Sequence, residues 1–152
     1  MFDMGSHDRR HQAGVDTIHL GLVLKAEIEH RVGEASGMLL ADHEALANLA
    51  EHGGALRMSE IADRLILTRG GVTKLVDRLE EVGYVERRPS PSDRRVVLVA
   101  MTPEGREALR GSQAAFDAAL HDLWGRHLTD EEAATVLPII DRIRAAMHPT
   151  QG

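Results

Sequence analysis

The stretch TRGGVTKLVDRLEEVGY, residues 68–84, decides the fold of this chain. Its apolar residues recur at the i, i+3, i+4, i+7 spacing, which predicts an amphipathic helix with one buried face. Thr68 has the side chain of an N-cap residue. Gly70 and Gly71 nevertheless occupy the first turn, where each costs about 1 kcal/mol relative to alanine. The glycines therefore need a reason other than the stability of the helix.

The neighbouring segments predict a winged helix-turn-helix. A short helix over 59–65 is joined to the first by a tight turn, which is the spacing of a helix-turn-helix. Two strand-like segments follow at 84–88 and 95–100, separated by the turn sequence PSPSD. Because a β-hairpin directly after a helix-turn-helix forms a wing, we expect residues 55–100 to be one winged helix-turn-helix lobe.

The rest of the chain is predicted to be helical, so the fold class is mainly α with a small β wing. The broad apolar stripe of a helix over 15–35 predicts burial against more than its own domain. Asp42 is the predicted N-cap of a second helix. A third helix opens at Thr102-Pro103 and runs to about residue 127, and a last helix, with Pro138 in its middle, opens at the capping box of Thr129 and Glu132.

Composition limits the class of protein. At 152 residues with 43% hydrophobic content, the chain is expected to be one globular domain, here 15–147, and no apolar run reaches membrane-spanning length. The N-terminus lacks a secretory signal, so a cytoplasmic protein is expected. Residues 1–14 are treated as a flexible N-terminus, and GSH at 5–7 as a possible tag remnant. The absence of cysteine excludes disulfides and thiol chemistry, and no nucleophile, phosphate-binding or dinucleotide motif predicts an enzyme.

Charge is distributed unevenly around the predicted lobe. The whole chain carries a net charge of −6, yet residues 57–95 hold nine Lys and Arg against seven Asp and Glu. The remainder of the chain holds nine basic residues against seventeen acidic ones. A basic centre within an acidic body is typical of a nucleic-acid-binding surface.

At DRLEEVGYVERRPSPSDRRVVLVAMTPEGR, residues 77–106, the chain resembles the MarR family of bacterial winged-helix transcription regulators. The wing signature of that family is Asp-x-Arg, five further residues and then Leu-Thr. Asp93, Arg95 and Thr102 match it, and Met101 replaces the leucine. The resemblance implies a homodimer, held together by the helices over 15–35 and 102–147, that represses transcription from a pseudo-palindromic operator in double-stranded DNA. It also implies a small-molecule effector, which the sequence does not identify, and no required cofactor.

The resemblance and the position of the helix-turn-helix together select the candidate DNA-binding residues. Arg69 is expected to contact guanine, Thr73 and Lys74 to contact phosphate, and Arg95 to enter the minor groove beside Asp93. For Arg78, an ion pair with a neighbouring acid such as Glu81 is an equal alternative, and Arg87 has the alternative of a soluble, charged loop residue. The candidates on the recognition helix are Thr68, Arg69, Gly70, Gly71, Thr73, Lys74 and Arg78, and those on the wing are Arg87, Arg88, Ser90, Ser92, Asp93, Arg94 and Arg95.

Histidines are frequent, but their spacing does not predict a metal site. After residue 14 no two of them lie three or four positions apart, and HEALA at 43–47 has Ala47 where a zinc-protease motif needs its second ligand. A metal-gated regulator remains one alternative, and a winged-helix module that binds protein without binding DNA is another. By resemblance to the family, His19 and His30 on the first helix are candidates for the effector pocket.

Overall fold

A computed structural model of the protein describes residues 8–147 as helices, one short 3-10 turn and three strands. The chain divides into two compact units between Ala119 and Leu120, which lie on one continuous helix. The helices are α1 (Arg9–Ser36), α2 (Leu40–Glu51), α3 (Met58–Leu65), α4 (Arg69–Glu81), α5 (Pro103–Leu123) and α6 (Asp130–Met147), and the strands are β1 (Ala55–Arg57), β2 (Val85–Pro89) and β3 (Val97–Met101).

A helix-turn-helix and a three-stranded antiparallel sheet form the predicted lobe in the first unit. The strand order is β1-β3-β2, with Leu56 opposite Val99 and Arg87 also opposite Val99 on the other side. Strands β2 and β3 are the wing that the turn sequence predicted. Strand β1 was not predicted, because its three residues are too few to show a period.

The apolar face of α4 lies in the core of the lobe, as its periodicity predicted. Val72, Leu75, Val76 and Leu79 are each 3% exposed or less. They pack in one cluster with Leu46 and Leu49 of α2, Ile61 of α3 and Val85 and Val99 of the wing. The recognition helix is therefore held by the sheet and by α2, and its opposite face stays free.

Three predicted boundaries were wrong. Helix α1 begins at Arg9, not at residue 15, because Asp8 caps it by accepting the backbone N–H of Arg10 at 3.2 Å. The part of the N-terminal segment that the structure describes is thus helical, whereas residues 1–7 lie outside the described residues. Helix α2 begins at Leu40 without a side-chain cap, and Asp42 is a buried residue of its first turn. Helix α5 ends at Leu123, before the short 3-10 turn Gly125–His127.

The predicted helix starts at Thr102 and Thr129 are confirmed. The hydroxyl oxygen of Thr102 accepts the N–H of Gly105 at 3.1 Å. In the second unit, the N–H of Glu132 donates to the Thr129 hydroxyl at 3.2 Å while the Glu132 carboxylate accepts the N–H of Thr129 at 2.8 Å. The N–H and the hydroxyl of Thr129, which both donate to the Glu132 carboxylate, lower the pKa of Glu132 below its ordinary value. Helix α6 then continues through Pro138.

Both terminal helices carry large apolar side chains on their surfaces. On α1, Ile28 and Val32 are buried, while Ile18, Leu22 and Val23 are more than 60% exposed. On α6, the exposed residues are Leu137, Ile139, Ile140, Ile143 and Met147. Apolar surface of this extent marks an interaction site in a folded protein. Within residues 8–147, no helix has the length and apolar content to cross a membrane.

Candidate nucleic-acid interface

The two glycines at the start of α4 have different surroundings. The Thr68 hydroxyl caps the helix by accepting the N–H of Gly71 at 3.0 Å. A Cβ atom placed on Gly71 would lie 3.2 Å from that hydroxyl oxygen, so Gly71 makes room for the cap. A Cβ atom on Gly70 would meet nothing within 4 Å. Gly70 is therefore open to solvent at the end of the helix, where free backbone N–H groups attract anions.

Two basic side chains point outward from the same end of α4. Arg69 and Lys74 are exposed, and neither makes an ion pair with any described residue of the chain. Thr73 lies beside them, and its hydroxyl donates to the carbonyl oxygen of Arg69 at 2.9 Å. The first two turns of α4 thus present two uncommitted positive charges.

The wing presents three more: one at the end of β2 and two in the turn. Arg88, Arg94 and Arg95 are exposed and make no ion pair within residues 8–147. The Asp93 carboxylate accepts the backbone N–H of Arg95 at 3.0 Å, which fixes the turn that carries this arginine. Asp93 therefore steadies the backbone at Arg95 and leaves its guanidinium group free.

Ser90 lies inside the wing turn. It is 8% exposed, its N–H donates to the carbonyl oxygen of Val96 at 2.8 Å, and its hydroxyl is 3.0 Å from that of Ser92. This placement favours a role in shaping the turn over a phosphate contact. Ser92 is exposed and remains available.

Arg78 is committed to a carboxylate of another helix. Its Nε lies 3.1 Å from both carboxylate oxygens of Asp42, and its Nη2 lies 2.5 Å from Oδ1. These hydrogen bonds raise the pKa of Arg78, so its charge is retained. Arg78 thus makes an ion pair, but the expected partner was wrong: it is Asp42 of α2 and not an acid near Arg78 in sequence.

Arg87 is committed in the same way. Its guanidinium group pairs with Asp77 at 2.6 Å and with Glu80, and its backbone N–H donates to the Glu80 carboxylate at 3.1 Å. The hydrogen bonds to Asp77 are the main cause of a raised pKa at Arg87. This arginine fastens the wing strand β2 to the recognition helix.

The histidines proposed for an effector pocket lie on the surface of α1. His19 is exposed, and His30 is exposed with its Nε2 3.5 Å from the Glu34 carboxylate. A cavity of about 260 Å³ is lined by residues 36–39, Val82 and Tyr84 and by the Asp42–Arg78 pair. Neither histidine lines it. In the described part of the chain, no three histidine or acidic side chains are grouped as metal ligands.

A buried polar contact between α2 and α5 was not predicted from the sequence. His43 is 1% exposed, its Nδ1 lies 2.8 Å from the Ser112 hydroxyl, and its ring stacks on Phe116 with centroids 4.6 Å apart. Since the Ser112 hydroxyl donates to the carbonyl oxygen of Leu109, we assign the Nδ1–H tautomer to His43. Burial lowers the pKa of His43, and the charge of Asp117 opposes that shift.

A helix-turn-helix followed by an arginine-bearing wing places the protein in the winged-helix class of DNA-binding folds. The model of the MarR family matches residues 36–96, which span α2, the helix-turn-helix and most of the wing. The chain belongs to the MarR family of winged helix-turn-helix transcription regulators.

Curated relatives and solved structures agree with this assignment. The HTH-type transcriptional repressor MdtR of Bacillus subtilis is 33% identical over 117 residues, which are 74% of this chain and 72% of MdtR. The regulator PapX of Escherichia coli is 30% identical over 75% of this chain and 72% of its own length. Sco3205, a MarR family regulator from Streptomyces coelicolor solved in complex with DNA, superposes with a TM-score of 0.86 at 26% identity, over 96% of each chain. CouR from Rhodococcus jostii, solved with p-coumaroyl-CoA, gives a TM-score of 0.81 at 25% identity, over 97% of this chain and 99% of CouR.

Proposed function

We propose that this protein is a homodimeric repressor that binds a pseudo-palindromic operator in double-stranded DNA and is modulated by a small ligand. The observation that carries the proposal is the set of five uncommitted basic side chains on α4 and the wing, in a chain whose net charge is −6. DNA phosphates attract such a surface, and the helix-turn-helix fits the major groove. Binding to an acidic protein partner would require the positive charge alone. The name of MdtR as a repressor and the DNA complex of Sco3205 support the same function.

The contacts divide between bases and phosphates. Arg69 at the first position of α4 is suited to the O6 and N7 atoms of guanine in the major groove. Lys74 and the helix N-terminus at Gly70 bind phosphate, and Arg95 enters the minor groove from the wing. Each side chain reaches these positions without breaking an ion pair of the folded lobe.

The homodimer is supported by the apolar surfaces of the terminal helices. Residues 15–35 and 102–147 supply the dimerisation region, since α1 and α6 expose aliphatic side chains that a single chain leaves uncovered. A twofold-symmetric dimer places its two recognition helices at half-sites about one helical turn, roughly 34–36 Å, apart. Sedimentation of the purified chain tests this point directly.

The remaining parts of the proposal concern the cellular location of the protein, its enzymatic activity and its effector. We infer that the protein acts in the cytoplasm, where the chromosome lies, and has no enzymatic activity of its own. The effector is expected to be a small organic molecule, a class represented by the p-coumaroyl-CoA bound to CouR. Thermal stabilisation by members of a panel of such molecules would identify the class, since a ligand that binds only the folded state raises the melting temperature.

The decisive experiment is a gel-shift titration with the DNA upstream of the gene, over a series of salt concentrations. We expect specific binding that weakens steeply with salt, and Arg95→Ala is expected to weaken it while the dimer stays folded. Arg10→Ala removes an exposed arginine outside the proposed DNA-binding and dimerisation residues and is the matched control for net charge. Absence of a shift at low salt would instead favour a protein-binding module, and stoichiometric zinc in the purified protein would favour a metal-gated regulator.

A further inference from the structure

Two consecutive residues of α2 hold two different helices. Asp42 binds Arg78 of the recognition helix, and His43 binds Ser112 and stacks on Phe116 of α5. Both are buried, at 8% and 1% exposure. Helix α2 is thus anchored on one side to α5 and presents a carboxylate to α4 on another.

The Asp42–Arg78 pair is built to set an orientation. The carboxylate is bound by two nitrogens of one guanidinium group: the single Nε–H is shared between both carboxylate oxygens, and Nη2 donates to Oδ1. A planar guanidinium bound in this manner is fixed in direction as well as in distance. Because the Asp42 side chain is only 12% exposed, loss of Arg78 would leave a buried charge without a partner. Arg78 is therefore bound to the lobe more firmly than an exposed side chain awaiting DNA would be.

The position of Arg78 on α4 agrees with that role. It lies three residues after the buried Leu75 and one residue before the buried Leu79, so it flanks the core face of the helix. The uncommitted side chains Arg69 and Lys74 lie nearer the opposite end of the helix. A rotation of α4 about its axis would move those two side chains and would have to break the bonds to Asp42.

We infer that Asp42 is a positioning residue for operator recognition: it fixes the orientation of α4 through Arg78, and Arg78 itself contacts no DNA. The inference rests on the proposed function, and it gives Arg78 and Asp42 one shared role. A positioning role for Asp42 and simple electrostatics predict opposite changes in DNA affinity. Removing the negative charge of Asp42 and releasing Arg78 should tighten DNA binding if charge alone matters, whereas it weakens operator binding if orientation matters.

The test uses a duplex that the wild-type dimer selects from a random pool, together with an unrelated duplex of equal length. If the wild type selects no duplex, the proposed function fails and not the role of Asp42. We expect Asp42→Ala and Arg78→Ala each to lower operator affinity about tenfold, and the double variant to bind no worse than the weaker single variant, because both changes remove the same bond. Arg10→Ala and Glu51→Ala, at exposed positions outside residues 15–35 and 102–147 and outside the candidate DNA-binding residues, are the matched controls for charge.

Two readouts separate positioning from the alternatives. The ratio of operator affinity to unrelated-duplex affinity should fall in both variants, whereas a mere loss of folded protein lowers both affinities equally. The salt dependence of Arg78→Ala should keep the wild-type slope, since a lost phosphate contact would reduce the slope by about 0.9. The inference is overturned if Asp42→Ala binds the operator as tightly as the wild type. It is also overturned if the salt-dependence slope of Arg78→Ala is smaller than that of the wild type by about 0.9. If Asp42→Ala does not fold, Asp42→Asn keeps the shape of the side chain and is held to the same outcomes.

Discussion

Replacing Gly70 with alanine should raise the stability of the protein and lower its affinity for DNA. Gly70 has no positive φ angle, and nothing lies within 4 Å of the position that a Cβ atom would take. The substitution therefore gains helix propensity without strain, and Gly→Ala changes at compatible sites stabilise by about 0.4–1 kcal/mol. For a chain of this size the gain corresponds to a rise of about 1–4 °C in melting temperature.

The cost of that stability is expected at the DNA surface. Gly70 leaves the N-terminus of α4 bare, so an alanine or leucine side chain stands between the free backbone N–H groups and a phosphate. Gly70→Leu should weaken operator binding about tenfold, the equivalent of one charge-assisted hydrogen bond of about 1.5 kcal/mol. Thermal unfolding at one fixed dimer concentration and gel-shift titration measure the two effects. Gly14→Ala, at an exposed and equally open position of α1 outside residues 15–35, is the control that gains stability and keeps affinity. If Gly70→Leu binds the operator as tightly as the wild type, Gly70 is not needed for the close approach of α4 to DNA.

Three further substitutions test the packing around the site. Gly105→Ala should destabilise the lobe by about 1–3 kcal/mol in urea unfolding. A Cβ atom at this position would lie 2.1 Å from the Tyr84 carbonyl oxygen and force the backbone to shift. Unchanged stability would refute that close approach. Thr68→Ala removes the cap of α4 and should cost about 1 kcal/mol, and a loss within error would contradict the capping role. His43 has a pKa lowered by burial, so the unfolded chain binds a proton at this side chain more readily than the folded protein does. The free energy of unfolding should therefore fall as the pH drops below about 6.5 toward the folded-state pKa. His43→Leu should reduce that fall between pH 7.5 and 5.5, whereas His19→Gln, at an exposed position, should leave it in place.

The sequence predicted the elements whose pattern is strong and local. The face of α4 repeats with the helical period over two turns, and the strand–PSPSD–strand pattern carries its own turn chemistry. Thr102 and Thr129 were predictable as caps because a cap depends only on residues within one turn. The start of α1 was not predictable in the same way, since Asp8 stands in a segment without apolar periodicity.

The partners of the arginines were beyond prediction for a physical reason. Arg78 finds Asp42, which lies 36 residues earlier in the chain, and the pair exists only once α2 has packed against α4. Asp42 was mistaken for an N-cap because an acid before an apolar run is typical of one. Charge and spacing alone do not distinguish a buried acid of the first turn from a cap at the surface. The sequence therefore identified the basic surface and left open which of its arginines were free.

The pairing of two arginines within the lobe changes the meaning of the charge distribution. Arg87 is neutralised by Asp77 and Glu80, so two of the seven acids in residues 57–95 bind the wing to α4. Within residues 8–147, Arg69 and Lys74 at the first turns of α4 and Arg88, Arg94 and Arg95 on the wing make no ion pair, and neither does Arg64 of α3. The arginines of the lobe thus have two different roles: paired arginines orient the recognition helix, and unpaired ones attract the phosphate backbone. It follows that salt should weaken the contacts of the unpaired arginines with phosphate more than the Asp42–Arg78 pair, because exposed charges are screened more strongly than partly buried pairs. Raising the salt concentration should therefore release the DNA well before it loosens the helix that reads it.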